Sequence, residues 1–374
     1  MESSLVSLEM VFEHRTYLPS MLAWLLAAVL CIRTVRRPRL AVGLMLVVAM
    51  VFSLWTFQRN RLWANEVAFW NDCAEKTPKN VRVYHSLGNA SVKAGKLDGA
   101  VAAYKRAIAL NPAAVKSLIG LGHALREKGD IGNAIAVHTK AVRMAPNNAS
   151  CYNHLGTDFL AANDLDQAIQ VLQKAIALNP FHYRAYNNLG LAYARQNRVS
   201  KAVMMYEKAI AVRPDFAVAY NNLGSLYLSP NNATKAVGYL RKAVSLDPSF
   251  SDAHSNLGLA LLFQGHVFEG IRELQVTLQL DPKHQNANFN LARAYELTGN
   301  YRRAVIQYEK SIRLNPKDPQ AYYNAGFIFL NHLAHPEAAK DLLKKAVSAD
   351  PDHPQADVAK KALANLKRIR GQGV

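Results

Sequence analysis

The apolar positions of this chain fall into two regimes. Near the N-terminus they run together. Leu18–Ile32 and Leu40–Phe57 carry no charged side chain, and the stretch RTVRRPR, with Arg33, Arg36, Arg37 and Arg39, separates them. From Pro78 onward the apolar residues are spaced as helical stripes, and the pattern repeats. Pro78, Pro112, Pro146, Pro180, Pro214, Pro248, Pro282 and Pro316 stand 34 residues apart, and Pro351 follows after 35. Within each interval a glycine recurs at Gly88, Gly122, Gly156, Gly190, Gly224, Gly258 and Gly326, with Ala292 in the seventh place. Twelve residues after the glycine comes Ala100, Ala134, Ala168, Ala202, Ala236 or Ala304, with Gly270 in the sixth unit. An aromatic opens most units, at Tyr84, Tyr152, Tyr186, Tyr220 and Tyr322.

Each recurring residue type has a physical reading. Gly and Ala lack bulk, so two antiparallel helices can approach closely where they meet. The Tyr and Leu positions share one face of the first helix. The proline stops the second helix and resets the chain for the next pair. This lattice resembles the tetratricopeptide repeat (TPR), a helix–turn–helix unit of 34 residues with a W/Y-x-x-L-G-x-x-Y…A…P pattern. Eight units over residues 81–352 imply a right-handed α-solenoid with an extended concave face. Residues 353–374 then read as a solvating cap helix and tail, and residues 59–80 as a half-repeat in which Trp70 takes the place of Tyr104, Tyr206 and Tyr308.

The two N-terminal apolar runs predict a helical hairpin across a membrane over residues 18–58. At 1.5 Å per residue the first run is about 22 Å long, short against a hydrocarbon core of about 30 Å, and the second comes closer. Four arginines in the loop outweigh Arg15, Arg59 and Arg61 on the flanks, which places the loop in the cytoplasm and both ends outside. The fold class expected is therefore all-α: an N-terminal two-helix transmembrane hairpin followed by a TPR solenoid. The expected location is a bacterial inner membrane with periplasmic repeats, or an endoplasmic reticulum membrane with luminal repeats in a eukaryote.

The residue two before each lattice glycine should face the concave groove. It is Ser86, Gly120 and His154, then Asn188, Asn222, Asn256, Asn290 and Asn324. An amide both donates and accepts, so a row of asparagines can hold an extended peptide by its backbone. The peptide-binding superhelix of cytosolic O-GlcNAc transferases resembles this arrangement. The alternative is that these asparagines serve packing or local backbone bonding. Arg82, Lys116 and Arg184 occupy the second position of their units and are expected to meet acidic ligands, or else to form a solvated basic face. The Lys/Asn/Arg set of carboxylate-clamp TPRs is missing, because the fifth positions read His85, Ile119 and Asn153.

Residues 1–17 precede the hairpin and contain FEHRTYLPS with its neighbours. Together with the two apolar runs and QRNRLWANEVAFW, this segment resembles the C-terminal end of transmembrane and TPR-containing mannosyltransferases and their bacterial relatives, which have a GT-C type membrane fold. Glu13, Arg15, Tyr17, Leu18, Pro19 and Ser20 match the E-x-R-x-Y-L-P-S outer-loop motif of that family, and its bacterial relatives commonly show a His where His14 stands. The resemblance implies that the family's acidic residues for metal and sugar donor belong to an earlier outer loop; Glu2, Glu9 and Glu13 are isolated and form no such pair.

Charge and residue chemistry narrow the function. Of a net charge of +18, most lies in the repeats, since the first 80 residues hold nine Lys/Arg and six Asp/Glu. That favours acidic partners. Three cysteines far apart and twelve scattered histidines give neither a disulfide framework nor metal-ligand spacing. His254 sits at an aromatic position and reads as a packing residue. No catalytic residue, metal site or cofactor is expected, and nucleic acid is not an expected partner. Two readings remain: a membrane-anchored TPR scaffold that binds protein or peptide outside the cytoplasm, and the C-terminal portion of a GT-C protein O-glycosyltransferase whose repeats present the acceptor. The sequence leaves the oligomeric state open.

Overall fold

The computed structural model describes residues 65–371, with side chains through Leu366, together with Val42, Gly43, Leu46, Val47, Ala49, Met50, Val51, Ser53 and Phe57. From Glu66 on there are eighteen α-helices and one short 3-10 turn, with no strand among the described residues. The chain forms two compact units, divided between Lys128 and Gly129. Both are all-helical, TPR-like stacks.

In the first unit, α1 (Glu66–Lys76) packs on α2 (Val81–Lys93), which pairs with α3 (Leu97–Leu110) and touches α4 (Val115–Glu127). Its core joins Ala74, Val83, Leu87 and Ala103 with Val67, Trp70 and Tyr84. The second unit opens with α5 (Ile131–Met144). Five antiparallel pairs follow: α6 (Ala149–Ala161) with α7 (Leu165–Leu178), α8 (Tyr183–Arg195) with α9 (Val199–Val212), α10 (Ala217–Leu226) with α11 (Ala233–Leu246), α12 (Ser251–Phe263) with α13 (Val267–Leu280), and α14 (Gln285–Leu297) with α15 (Tyr301–Leu314). A sixth pair, α16 (Pro319–Asn331) and α17 (Pro336–Ala349), is covered by α18 (Ala356–Gly371).

The lattice residues do local work. A Cβ at Gly156 would lie 2.6 Å from Leu172 Cγ, so only glycine lets the fully buried Leu172 fill that gap between the paired helices. Burying such a leucine is worth about 1.5–3 kcal/mol. The six lattice prolines that follow Asn or Asp share one device. In each, the side chain before the proline accepts from the backbone N–H two residues on: Asn111 from Ala113, Asn179 from Phe181, Asp247 from Ser249, Asp281 from Lys283, Asn315 from Lys317 and Asp350 from Asp352. The turn inside six units needs a left-handed residue, and it is Gly95, Gly129, Asn163, Asn197, Gly265 or Gly299. In the fifth unit Pro230 shortens the first helix and opens a 3-10 turn, Pro230–Asn232.

Each second helix packs on the next first helix, and neighbouring first helices (α6 with α8, α8 with α10, α10 with α12, α12 with α14) also touch one another. Second helices do not meet each other in the same way. Within the second unit the first helices therefore crowd along the inner face and the second helices spread along the outer one.

The membrane location is corrected. Among the described residues no helix is long and apolar enough to cross a membrane. The longest, α18, has 16 residues, about 24 Å at 1.5 Å per residue, and it carries several lysines. Leu18–Ile32 and half of Leu40–Phe57 lie outside the described residues, as do Glu13, His14, Arg15, Tyr17 and Pro19.

Candidate functional site

The sequence-selected asparagines sit on the first helices of the second unit. Asn188, Asn222, Asn256 and Asn324 are half-buried, and Asn290 is buried at 8% exposure. Their amides are not simply free. Asn188 Nδ2 donates to Asn153 Oδ1 at 3.0 Å and to Thr157 Oγ1 at 3.2 Å in the preceding unit. Asn222 Nδ2 donates to Asn187 Oδ1 at 3.0 Å, and Asn256 Nδ2 to Asn221 Oδ1 at 2.9 Å. A second column of buried asparagines, Asn153, Asn187 and Asn221, thus lies one residue earlier and receives each rung. The sequence reading met this column only at His85, Ile119 and Asn153, as positions where a carboxylate clamp is missing, and did not follow it on to Asn187 and Asn221, although the doublets Asn187-Asn188 and Asn221-Asn222 displayed it. The column ends at Ser255, and Asn290 makes no such bond.

The rungs tie consecutive units and still leave bonding capacity. Asn222 and Asn256 each spend one amide hydrogen inward. Their side-chain carbonyl oxygens accept nothing among the described residues. Each therefore keeps one donor and one acceptor on the inner face.

Asn324 belongs to a different network. Gln320 Nε2 donates to Asn324 Oδ1 at 2.8 Å and to Gln355 Oε1 at 3.2 Å. Asn324 Nδ2 donates to the Tyr308 hydroxyl at 2.9 Å, which in turn donates to Glu296 Oε2 at 2.9 Å. Burial, and then the Glu296 charge, push the Tyr308 hydroxyl well above its usual range, so it remains a donor. These groups border an open cleft of about 530 Å³, lined by Phe289, Arg293, Glu296, Leu297, Gln320 and Asn324.

The basic candidates divide between the units. Arg82 and Lys116 are exposed near the N-termini of α2 and α4 in the first unit. Beside them His85 meets Ser117 Oγ at 3.3 Å and Asn89 Nδ2 at 3.3 Å, and the Tyr104 hydroxyl donates to Asn89 Oδ1 at 2.6 Å. Burial, reinforced by the Lys116 charge, holds His85 below the usual histidine range. Burial also pushes the Tyr104 hydroxyl up to about 12. Arg184 is in the second unit, exposed, with its guanidinium 5.6 Å from the Tyr183 ring centre. His254 is buried, with Nδ1 2.6 Å from Glu273 Oε2 and Nε2 3.1 Å from the Pro248 carbonyl. Among the described residues no group of three or more His, Cys, Asp or Glu is placed to hold a metal ion.

His182 caps α8: its Nδ1 accepts from the Ala185 N–H at 3.2 Å, and its Nε2 lies 3.5 Å from Ser150 Oγ. Burial first, and the Arg184 charge as well, hold it below the usual histidine range. Protonation would replace the capping acceptor with a donor. Below pH 6.5 the unfolded chain takes up a proton that the folded chain resists, so stability is full above that pH and falls as the pH drops through the window below it. Chemical denaturation at pH 7.5 and 5 should show this loss. His182→Asn keeps a capping side chain without a titrating group and should flatten the pH dependence. An unchanged slope would remove His182 as its source.

With this geometry in place, residues 61–288 match the family described as the cilia and flagella-associated protein 70 C-terminal domain. The chain belongs to this family. Residues 297–332 match a TPR repeat and residues 319–353 a tetratricopeptide repeat. The family matches are thus to repeats of this kind, and the resemblance to GT-C mannosyltransferases is not shown. No curated protein matches the chain. Among solved structures it is similar to a chain of the APC/C hetero-tetramer Cut9-Hcn1, with 17% identity, a TM-score of 0.61, and coverage of 77% of this chain and 56% of that one. The chain thus spans little more than half the length of that relative. PilW, a widely conserved type IV pilus biogenesis factor, is 20% identical over 56% of this chain and 97% of its own, with a TM-score of 0.52. These likenesses show the fold.

Proposed function

We propose that the chain is a TPR scaffold that holds an extended peptide against the inner, first-helix face of its second unit, reading backbone more than sequence. One observation carries this reading. Asn222 and Asn256, in successive units, are fixed by an inward bond to the preceding unit and each keep one amide hydrogen and one carbonyl oxygen for a ligand. Side chains pinned this way lose little rotamer freedom on binding, which lowers the cost of capture. Arg82 and Lys116 would take acidic side chains of a partner along the first unit.

The test is titration of the full chain with a short Ser/Thr peptide and with its backbone N-methylated counterpart. The parent peptide should bind and the N-methylated one should not. Asn222→Ala with Asn256→Ala should weaken binding by roughly tenfold or more, given about 0.5–1.5 kcal/mol per lost hydrogen bond. The same pair leaves Asn187 and Asn221 without their donors and lowers stability too. Leu343→Ala, a core truncation far from both asparagines, is therefore the matched control and should leave binding intact. Binding that ignores N-methylation, or falls equally in Leu343→Ala, would defeat the proposal.

A further inference from the structure

The cleft between α14 and α16 has a polarity that the asparagine rungs lack. Along Gln320, Asn324 and Tyr308 every hydrogen bond donates in one direction, ending on Glu296 Oε2. The network therefore holds the Glu296 carboxylate in place. Both amide hydrogens of Gln320 are used, so its Oε1 is the group left toward a ligand. One helical turn earlier on α14 stands Arg293, exposed and without an ion-pair partner among the described residues. The cleft thus displays a fixed carboxylate and an uncommitted guanidinium side by side, next to the Phe289 ring and the Leu297 side chain, which is 63% exposed.

We infer that this cleft selects an extended peptide segment carrying one acidic and one basic side chain two residues apart. The inference rests on the peptide-scaffold reading and adds the ligand's charge pattern. Helix neighbours three apart are separated by about 5–6 Å between Cβ atoms. In an extended chain, side chains on one face recur every two residues, about 6.6–6.8 Å apart. The spacings match closely enough for a basic ligand side chain to reach Glu296 and the Phe289 ring while an acidic one reaches Arg293. A segment of only acidic residues meets Glu296 at close range. A segment of only basic residues meets Arg293 and a chain of net charge +18.

The experiment is fluorescence anisotropy of the full chain with five labelled peptides of equal length, identical except for a central Lys-Thr-Asp, Asp-Thr-Lys, Lys-Thr-Lys, Asp-Thr-Asp or Thr-Thr-Thr. One of the two mixed peptides should bind about tenfold more tightly than the other three compositions, with the preference shrinking at high salt. Arg293→Gln and Glu296→Gln should each reduce that peptide to the affinity of Thr-Thr-Thr. Gln at position 296 still accepts from Tyr308, so the fold is retained. Asp-Thr-Asp or Lys-Thr-Lys binding as tightly as the mixed peptides overturns the inference, and so does a preference that survives both substitutions. If all five bind alike, the charge pattern is wrong and backbone capture stands. If none binds, both fail.

Discussion

Asp158→Ala should lower the unfolding free energy by about 2–4 kcal/mol, the cost of taking this hydrogen bond from the buried His138 together with the cavity the carboxylate leaves. His138 stands where neighbouring units place Leu172, Tyr206 and Leu240, all core residues. Its Nδ1 is bonded to Asp158 Oδ2, and both side chains are fully buried. The His154 ring stacks on His138 with centroids 5.4 Å apart. Removing the carboxylate strips the buried imidazole of this partner and leaves a gap. The informative companion is the double variant His138→Leu with Asp158→Ala. It gives both positions the residues of the next unit, Leu172 and Ala192, so it should recover most or all of the loss. Chemical denaturation reads both. A single variant within about 1 kcal/mol of the parent would show that the pair is not a desolvated couple.

The second large effect is expected at Gly270. Its counterparts Ala236 and Ala304 are fully buried alanines, yet a Cβ at Gly270 would lie 2.9 Å from the Gly258 carbonyl oxygen and 2.9 Å from Leu262 Cδ2. The helices of the sixth unit therefore approach more closely than in those units, and backbone must move to admit a methyl group. Overpacking of this kind costs about 1–3 kcal/mol, offset in part by the roughly 0.8–1 kcal/mol that alanine gains over glycine in a helix. Gly270→Ala should therefore destabilise. Gly238→Ala is the control, since it lies in α11 with nothing within 4 Å, and it should stabilise by about 0.5–1 kcal/mol. Equal effects at the two glycines would contradict the close-approach account.

These two sites mark where sequence reading stops. The 34-residue lattice was legible because proline, glycine and alanine each answer a local demand, and the Asn-Pro and Asp-Pro pairs have a local turn behind them. The His138–Asp158 pair joins residues 20 apart in different helices, and no spacing rule picks one carboxylate from many. The inward asparagine column was visible as doublets, but its bonds run 35 residues back to the preceding unit. The Arg293–Glu296 cleft owes its character to the Tyr308 hydroxyl, and the sequence reading used Tyr308 only as a lattice position equivalent to Trp70. The membrane reading went astray for a different reason: it rested on uncharged runs, mostly outside the described residues, while the described helices are too short and too polar to span.

The most direct test of the central claim is photo-crosslinking of the Ser/Thr peptide to the full chain, with the reactive group placed in turn at Ser225 and Met204. Ser225 is exposed on the first helix α10, and Met204 is exposed on the second helix α9. The account predicts crosslinking through Ser225 and none above background through Met204. Crosslinking through Met204, or equally through both, would contradict capture on the first-helix face.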